Sequence, residues 1–148
     1  MAPAILFLPL VGAVFSGLLH PIFGERFSKL FSTICVFLSA ALSWIIFSTG
    51  DFKDVQKFHV LRWISSGDLN VAWSLRLDSL TAIMLVVICS VSFLVHLYSF
   101  GYMKGDHNWK SSEKYEARFF SYLSFFTFAM LALVTSDNFL QMFFGWEG

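Results

Sequence analysis

The sequence has few charged residues, few prolines and few cysteines, and each scarcity excludes a class of protein. Charged residues make up 14% of the 148 positions, and the 10 basic residues balance the 10 acidic ones. Ordinary globular domains carry about 25% charged residues, so this chain lacks a soluble surface, and its zero net charge argues against nucleic-acid binding. Cys35 and Cys89 lie in separate apolar runs with no CxxC spacing, which predicts neither a disulfide framework nor a zinc site.

Apolar residues, by contrast, form long uninterrupted runs. Hydrophobic side chains make up 57% of the chain, with 19 phenylalanines. A helix needs about 20 apolar residues to cross a bilayer, and four uncharged runs of that size occur: Met1–Gly24, Leu30–Gly50, Ser79–Met103 and Phe119–Ser136. A fifth run begins at Asn138. The sequence therefore predicts an all-α integral membrane protein with four transmembrane helices and the start of a fifth.

The segment between the second and third runs has a different periodicity. Apolar and polar residues alternate strictly from Leu69 to Asp78, as in a half-buried strand. His59–Ile64 is rich in strand-forming residues, and Ser65–Asp68 has the composition of a turn. We therefore predict a short extramembrane β-hairpin and three regions: two helices in 1–50, the hairpin loop in 51–78, and two further helices with the beginning of a repeated unit in 79–148.

Basic residues between the runs predict the orientation, because Lys and Arg are retained on the cytoplasmic or matrix side. Six lie in the loops at one membrane face and four at the other. The bias places the N-terminus and the hairpin outside, and the segment 104–118 inside.

Glu147 is the candidate for chemistry. If the fifth helix begins near Asn138, Glu147 lies about 14 Å into the membrane at 1.5 Å per residue. An ionised carboxylate is costly there and persists with a partner, a wet cavity or a bound proton. Such a group can exchange a proton in response to a moving cation. The alternative is a frayed helix end, with Glu147 in water.

The other polar residues have ordinary structural interpretations. Asp78 and Asp137 precede helices and are expected to act as caps, although Asp137 could admit protons toward Glu147. Trp146 is expected to be buried against a neighbouring helix. Three hydroxyl residues of the fourth run recur on one helix side and are expected to contact other helices: Ser121, Ser124 and Thr127.

Two histidines permit a rival function. His20 and His96 both fall toward the inner face, so the pair could ligate a haem in an electron-carrying cytochrome subunit. Pro21 beside His20 and the single candidate pair argue against this, and hydrogen-bonded histidines are the more common arrangement.

Four segments resemble a known family. They are Trp73–Thr81 (WSLRLDSLT), Val95–Met103 (VHLYSFGYM), Arg118–Leu123 (RFFSYL) and Thr135–Gly148 (TSDNFLQMFFGWEG). The last is the most specific. The chain resembles the N-terminal portion of the antiporter-like membrane subunit of NADH:quinone oxidoreductase (respiratory complex I), called subunit 5 in mitochondria and subunit L in bacteria.

The resemblance implies a function and a set of partners. It implies a proton-translocating subunit in which Glu147 matches an intramembrane glutamate that works with a lysine on a later helix. NADH, FMN, iron–sulfur clusters and quinone would be bound by partner subunits, with no cofactor on this chain. The expected partners are the other membrane-arm subunits and the lipid bilayer, and the expected location is a bacterial or mitochondrial inner membrane, crossed several times.

Members of this family are several times longer and contain inverted repeats. We therefore expect this chain to be a fragment, a truncated product, or one part of a split subunit completed by a second polypeptide. Two alternatives remain open at this point: the large subunit of a multisubunit sodium/proton antiporter, and a non-pumping structural part of a split subunit.

Overall fold

The protein is a bundle of helices with one two-stranded sheet. The computed structural model describes residues 1–50, 52, 54–104 and 115–148. The elements in chain order are α1 (Ala2–Leu18), α2 (His20–Phe23), α3 (Glu25–Thr49), β1 (Gln56–Ser66), β2 (Leu69–Leu77), α4 (Ser79–Tyr102), α5 (Tyr115–Val134) and α6 (Phe139–Glu147).

In the described part of the chain, three helices are long and apolar enough to cross a membrane: α3, α4 and α5, with 25, 24 and 20 residues. The first predicted run is divided at Leu19 into α1, with 17 residues, and the single-turn α2. At 1.5 Å per residue α1 is about 26 Å long, slightly less than the roughly 30 Å of hydrocarbon. The predicted fold class, a helical membrane protein with a hairpin between the second and third predicted transmembrane runs, is confirmed.

The helices pack side by side in alternating directions. α1 contacts α3 and α5, α4 contacts the same two helices, and α6 contacts α5. One end of the bundle carries the start of α1, the end of α3 and the hairpin. The other end carries α2 and the start of α5. The predicted inside and outside faces correspond to these two ends, and their orientation in a membrane stays a prediction.

The hairpin matches its sequence pattern closely. β1 and β2 pair antiparallel from Gln56–Leu77 to Ser66–Leu69. The turn is shorter than predicted, because Ser65 and Ser66 belong to β1 and only Gly67 and Asp68 connect the strands. Gly67 has φ +56°, a left-handed conformation that glycine adopts without steric cost.

One face of β2 covers an end of the bundle. Leu75 and Leu77 are buried, whereas Arg76 between them is exposed. Both leucines belong to the main apolar cluster, together with Ile5 of α1 and Leu131 of α5. The period-two pattern therefore marks the side of the strand that packs on the helices.

Asp78 caps α4, as predicted. Its carboxylate accepts a hydrogen bond of 2.8 Å from the backbone N–H of Thr81, and Arg76 lies 3.2 Å away. The pKa of Asp78 is lowered, first by the Thr81 backbone hydrogen bond and to a smaller extent by the charge of Arg76. The cap joins the end of β2 directly to the first turn of α4.

A glycine sets the contact between α5 and α6. A Cβ at Gly145 would lie 2.6 Å from the backbone nitrogen and 2.8 Å from the Cα of Leu133, and 3.0 Å from the carbonyl oxygen of Ala129. These are backbone atoms, which cannot move aside without shifting a helix. The absence of a side chain at this position therefore allows α6 to lie directly against α5.

We expect the cap at Asp78 to make stability pH-dependent. The lowered pKa contributes stability that is complete well above the ordinary value of 3.8 and is lost as the pH falls through the lower, folded-state pKa. Asp78→Asn keeps a good N-cap without titrating, whereas Asp78→Ala should cost about 1 kcal/mol at neutral pH. Thermal unfolding of the purified chain between pH 3 and 7 measures both effects. An Asp78→Asn variant with an undiminished acid loss would contradict this assignment.

We expect Gly145→Ala to loosen α6, because overpacking costs about 1 to 3 kcal/mol where neighbouring atoms cannot relax. Hydrogen–deuterium exchange of peptides covering 139–147 should become faster. Gly101→Ala is the matched control, since a Cβ at Gly101 meets nothing within 4 Å. Equal exchange in the two variants would show that Gly145 does not set the contact.

Candidate functional site

The site is built around α6, whose first turn is attached to the hairpin. Asn138 caps the helix by accepting a hydrogen bond of 2.9 Å from the backbone N–H of Gln141. Its amide nitrogen donates to the carbonyl oxygen of Ala72 at 2.9 Å. The side-chain oxygen of the fully buried Gln141 accepts from the backbone N–H of Ser74 at 3.2 Å. Two hydrogen bonds, from Asn138 to Ala72 and from Ser74 to Gln141, thus connect the start of α6 to β2.

The turn before α6 is also bonded to β2. The backbone N–H of Arg76 donates to the carbonyl oxygen of Thr135 at 2.8 Å, and Leu75 forms an isolated antiparallel bridge with Ser136. Asp137 pairs with Lys57 of β1 at 2.8 Å. Asp137 was predicted to cap the fifth helix, which is wrong: Asn138, one residue later, is the cap, and the Asp137 carboxylate faces a hairpin lysine instead.

An aromatic cluster reinforces this attachment. The ring centroids of Trp63 and Trp73 are 5.2 Å apart, and Phe144 of α6 lies 4.9 Å from Trp73. Both contacts of Phe144 with the tryptophans are edge-on, an arrangement that aromatic pairs favour. The hairpin therefore contacts α6 at Phe144 in its second turn as well as at its cap, Asn138.

Glu147 lies nine residues beyond Asn138, about 14 Å along the helix axis. It follows Gly145 by two residues, a rotation of about 200° at 3.6 residues per turn, so its side chain leaves the helix on the side opposite α5. Glu147 is exposed, and within the residues that the structure describes its carboxylate has no hydrogen-bond or ion-pair partner. Among the described residues, Glu147 is thus an unpartnered acidic group on the side of α6 opposite α5.

The prediction that Trp146 is buried is wrong. Trp146 is 74% exposed, because it follows Gly145 by one residue, a rotation of about 100°, and so lies beside the contact with α5 rather than in it. It borders an apolar groove of about 610 Å³ between α4, α5 and α6, lined mainly by Leu80, Met84, Phe139, Met142 and Phe143. The carboxylate of Glu147 is therefore next to an uncovered apolar surface.

A second group of polar side chains lies inside the bundle, around His96 of α4. His96 is completely buried. Its Nδ1 is 2.8 Å from the carbonyl oxygen of Ser92, and its Nε2 is 3.0 Å from Oγ of Ser124 in α5. The hydroxyls of Ser124 and Ser32 of α3 are hydrogen-bonded in turn. Since a carbonyl only accepts, Nδ1 carries the proton, and in the neutral ring Nε2 accepts from Ser124.

This geometry argues against the haem alternative. Nδ1 of His96 carries a proton and the lone pair of Nε2 accepts from Ser124, so no lone pair is available to a metal without breaking the interhelical network. His20 bonds to the carbonyl oxygen of Gly17 through Nδ1 at 2.9 Å. The expectation of hydrogen-bonded histidines is confirmed for both residues.

The three hydroxyl residues of α5 all contact other helices, as predicted. Ser121 donates to the carbonyl oxygen of Ala13 in α1 at 2.7 Å. Ser124 bonds to α3 and α4 as described, and Thr127 bonds to Ser92 of α4. Hydroxyl groups at regular spacing thus connect α5 to three neighbours, a common way of joining helices in lipid.

One ion pair, between Lys29 and Glu116, was not predicted from the sequence. Lys29 at the start of α3 pairs with Glu116 at the start of α5, and both side chains are largely buried. The Lys29 Nζ also lies 5.9 Å above the ring of Phe100 in α4. The two residues are 87 positions apart, and only the packed bundle brings them together at the end opposite the hairpin.

Known proteins match this chain throughout. Residues 63–120 match the family model described as NADH-Ubiquinone oxidoreductase (complex I), chain 5 N-terminus. NADH-quinone oxidoreductase subunit L of Rhodobacter capsulatus is 55% identical over 148 residues, which are 100% of this chain and 21% of the relative. NADH-ubiquinone oxidoreductase chain 5 of Dictyostelium citrinum is 44% identical over 144 residues, covering 97% of this chain and 20% of the relative.

Subunit L of Rickettsia conorii is 43% identical over 145 residues, which cover 97% of this chain and 21% of the relative. The chain thus spans about one fifth of the length of the curated relatives that it matches. The resemblance inferred from the sequence motifs is confirmed, and the chain is similar to the N-terminal portion of the complex I subunit L and chain 5 proteins.

Proposed function

We propose that this chain provides the N-terminal part of a proton-translocating membrane-arm subunit of NADH:quinone oxidoreductase, with Glu147 as an intramembrane proton-transfer group. The observation that carries the proposal is the position of Glu147. It lies about 14 Å along α6 from a hairpin-bound cap, with its carboxylate directed away from the bundle. The agreement with subunit L and chain 5 over the whole chain supports the same role.

The energetics explain why an acid at this depth can move protons. If the hairpin lies at the membrane surface, Glu147 is close to the middle of a hydrocarbon layer about 30 Å thick. Holding an ionised carboxylate there costs at least about 2.5 kcal/mol, whereas the protonated form carries no charge. A cation that approaches the open side of α6 would stabilise the ionised form and release the proton. Its departure would favour protonation again.

The hairpin gives the proposal its geometric basis. Proton transfer between fixed groups depends on their separation, so the acid must keep its depth. The hydrogen bonds of Asn138 and Gln141 to β2 resist sliding of α6 along its axis, and Gly145 holds the helix against α5. The helix that carries Glu147 is thereby held by contacts on two sides, while the carboxylate itself has no partner among the described residues.

The remaining parts of the proposal concern the complex. We propose that the chain acts in a multi-pass subunit of an inner membrane, and that the other membrane-arm subunits are its partners. NADH oxidation and quinone reduction would occur on other subunits, which would hold FMN, the iron–sulfur clusters and the quinone. The cation that works with Glu147 would come from a later helix or a second polypeptide.

We expect Glu147→Gln in the assembled complex to reduce proton pumping severalfold, because glutamine keeps the size and hydrogen-bonding capacity of the side chain but cannot exchange a proton. Proton uptake and NADH oxidation should be measured together in sealed membrane vesicles, with assembly checked by native gel electrophoresis. Glu147→Asp should restore part of the pumping.

Asp68→Asn is the matched control, since it removes an exposed carboxylate from the hairpin turn. It should leave pumping unchanged. Normal pumping by the fully assembled Glu147→Gln complex would remove the transport role from Glu147 and favour a structural role for the chain. Vesicles that show only sodium-dependent proton exchange, without NADH oxidation sensitive to quinone-site inhibitors, would favour the antiporter alternative.

A further inference from the structure

A groove runs along the outside of the bundle between α1 and α5, at the end opposite the hairpin. Its volume is about 420 Å³. One wall consists of α1 residues spaced four apart, and the other of α5 residues spaced four and three apart, which are helical repeats. The wall residues are Leu10, Val14 and Leu18 of α1, and Arg118, Tyr122 and Phe125 of α5.

The floor of the groove is a close contact between the two helices. A Cβ at Gly17 would lie 2.7 Å from Oγ of Ser121. The same hydroxyl donates to the carbonyl oxygen of Ala13 at 2.7 Å. Small residues therefore bring the helices together beneath the groove, while the larger side chains on either side form its walls. The contact fixes the shape of the groove without filling it.

The two ends of the groove differ in polarity. Its deeper part is apolar, with Leu10, Val14 and Phe125 as the lining. Arg118 and His20 lie at its mouth. Arg118 is exposed, and no ion pair joins it to another residue in the described part of the chain. Among the described residues, an unpaired guanidinium thus lies at one end of an apolar groove.

Two other apolar grooves in the described part of the bundle lack this arrangement. The groove between α4, α5 and α6 and a further groove of about 350 Å³ between α4 and α5 are also apolar. Neither has a charged residue among its described lining residues. Those two surfaces suit an apolar neighbour, whereas the α1–α5 groove combines an apolar channel with a cation.

We propose that the α1–α5 groove is a binding site for an anionic phospholipid, with the phosphate on Arg118 and one acyl chain along Val14 and Phe125. A guanidinium presents a planar fork of N–H donors that matches a phosphate. Basic pockets between transmembrane helices on the inner face bind anionic lipid headgroups. The predicted orientation places Arg118 on that face, where the anionic lipids of the inner leaflet are found.

The test is a lipid titration of the full chain. Native mass spectrometry of the purified, delipidated chain should detect one phosphatidylglycerol bound more tightly than phosphatidylcholine with the same acyl chains. Arg118→Gln should weaken phosphatidylglycerol binding about fivefold, the effect of one basic residue on an anionic lipid, and should leave phosphatidylcholine binding unchanged. Val14→Trp, at a half-exposed position, should block the α1–α5 groove and weaken binding of both lipids.

Two controls separate this site from general attraction to a basic surface. Arg26→Gln removes an exposed charge from the same end of the bundle, outside the groove, and should retain selective binding. Free glycerol phosphate should not displace the lipid, which would distinguish a phospholipid site from a site for any phosphate.

Four results would overturn the proposal. Equal losses in Arg26→Gln and Arg118→Gln would show a diffuse charge effect, and equal affinity for the two lipids would show that the headgroup is not recognised. Unchanged lipid binding by Val14→Trp would place the acyl chain elsewhere. A dimer of the chain that Val14→Trp abolishes would make the groove an interface between copies.

Discussion

The attachment of α6 to β2 is the contact on which the arrangement of the candidate site depends. Four hydrogen-bonded or bridging contacts connect the segment from Thr135 to Gln141 to the strand residues from Ala72 to Arg76. Because the hairpin itself packs on the bundle through Leu75 and Leu77, the start of α6 is fixed relative to all the longer helices.

The bundle below the hairpin is held together by the kinds of contact that lipid permits. Burying an apolar side chain against another helix gains little where the surrounding lipid is equally apolar. Interhelical hydrogen bonds and close backbone contacts therefore stabilise the packing of the helices instead. The chain from Ser32 through Ser124 to His96 connects three helices, and Gly145 brings α6 against α5. Neither feature depends on the burial of a large apolar side chain.

These contacts leave one side of the bundle uncovered next to Glu147. They also leave the groove between α1 and α5 on another side. The difference between the two surfaces is in their charges. Glu147 has an acidic group facing outward beside an apolar surface, an arrangement suited to a cationic partner within the membrane. Arg118 is a cation at the end of the bundle opposite the hairpin, where the proposed anionic headgroup would meet it. The polarity and depth of each group therefore define the kind of neighbour that it can accept.

Composition and spacing by themselves determined the membrane class, the helical runs, the hairpin with its inward leucines, the cap at Asp78 and the hydroxyl contacts of α5, because each depends on local periodicity or on one residue type. The family followed from short motifs. Only the tertiary structure decided that Asn138 rather than Asp137 caps α6, that Trp146 is exposed, and that Lys29 meets Glu116. These outcomes depend on the rotation and relative height of packed helices, to which residues distant in the sequence contribute.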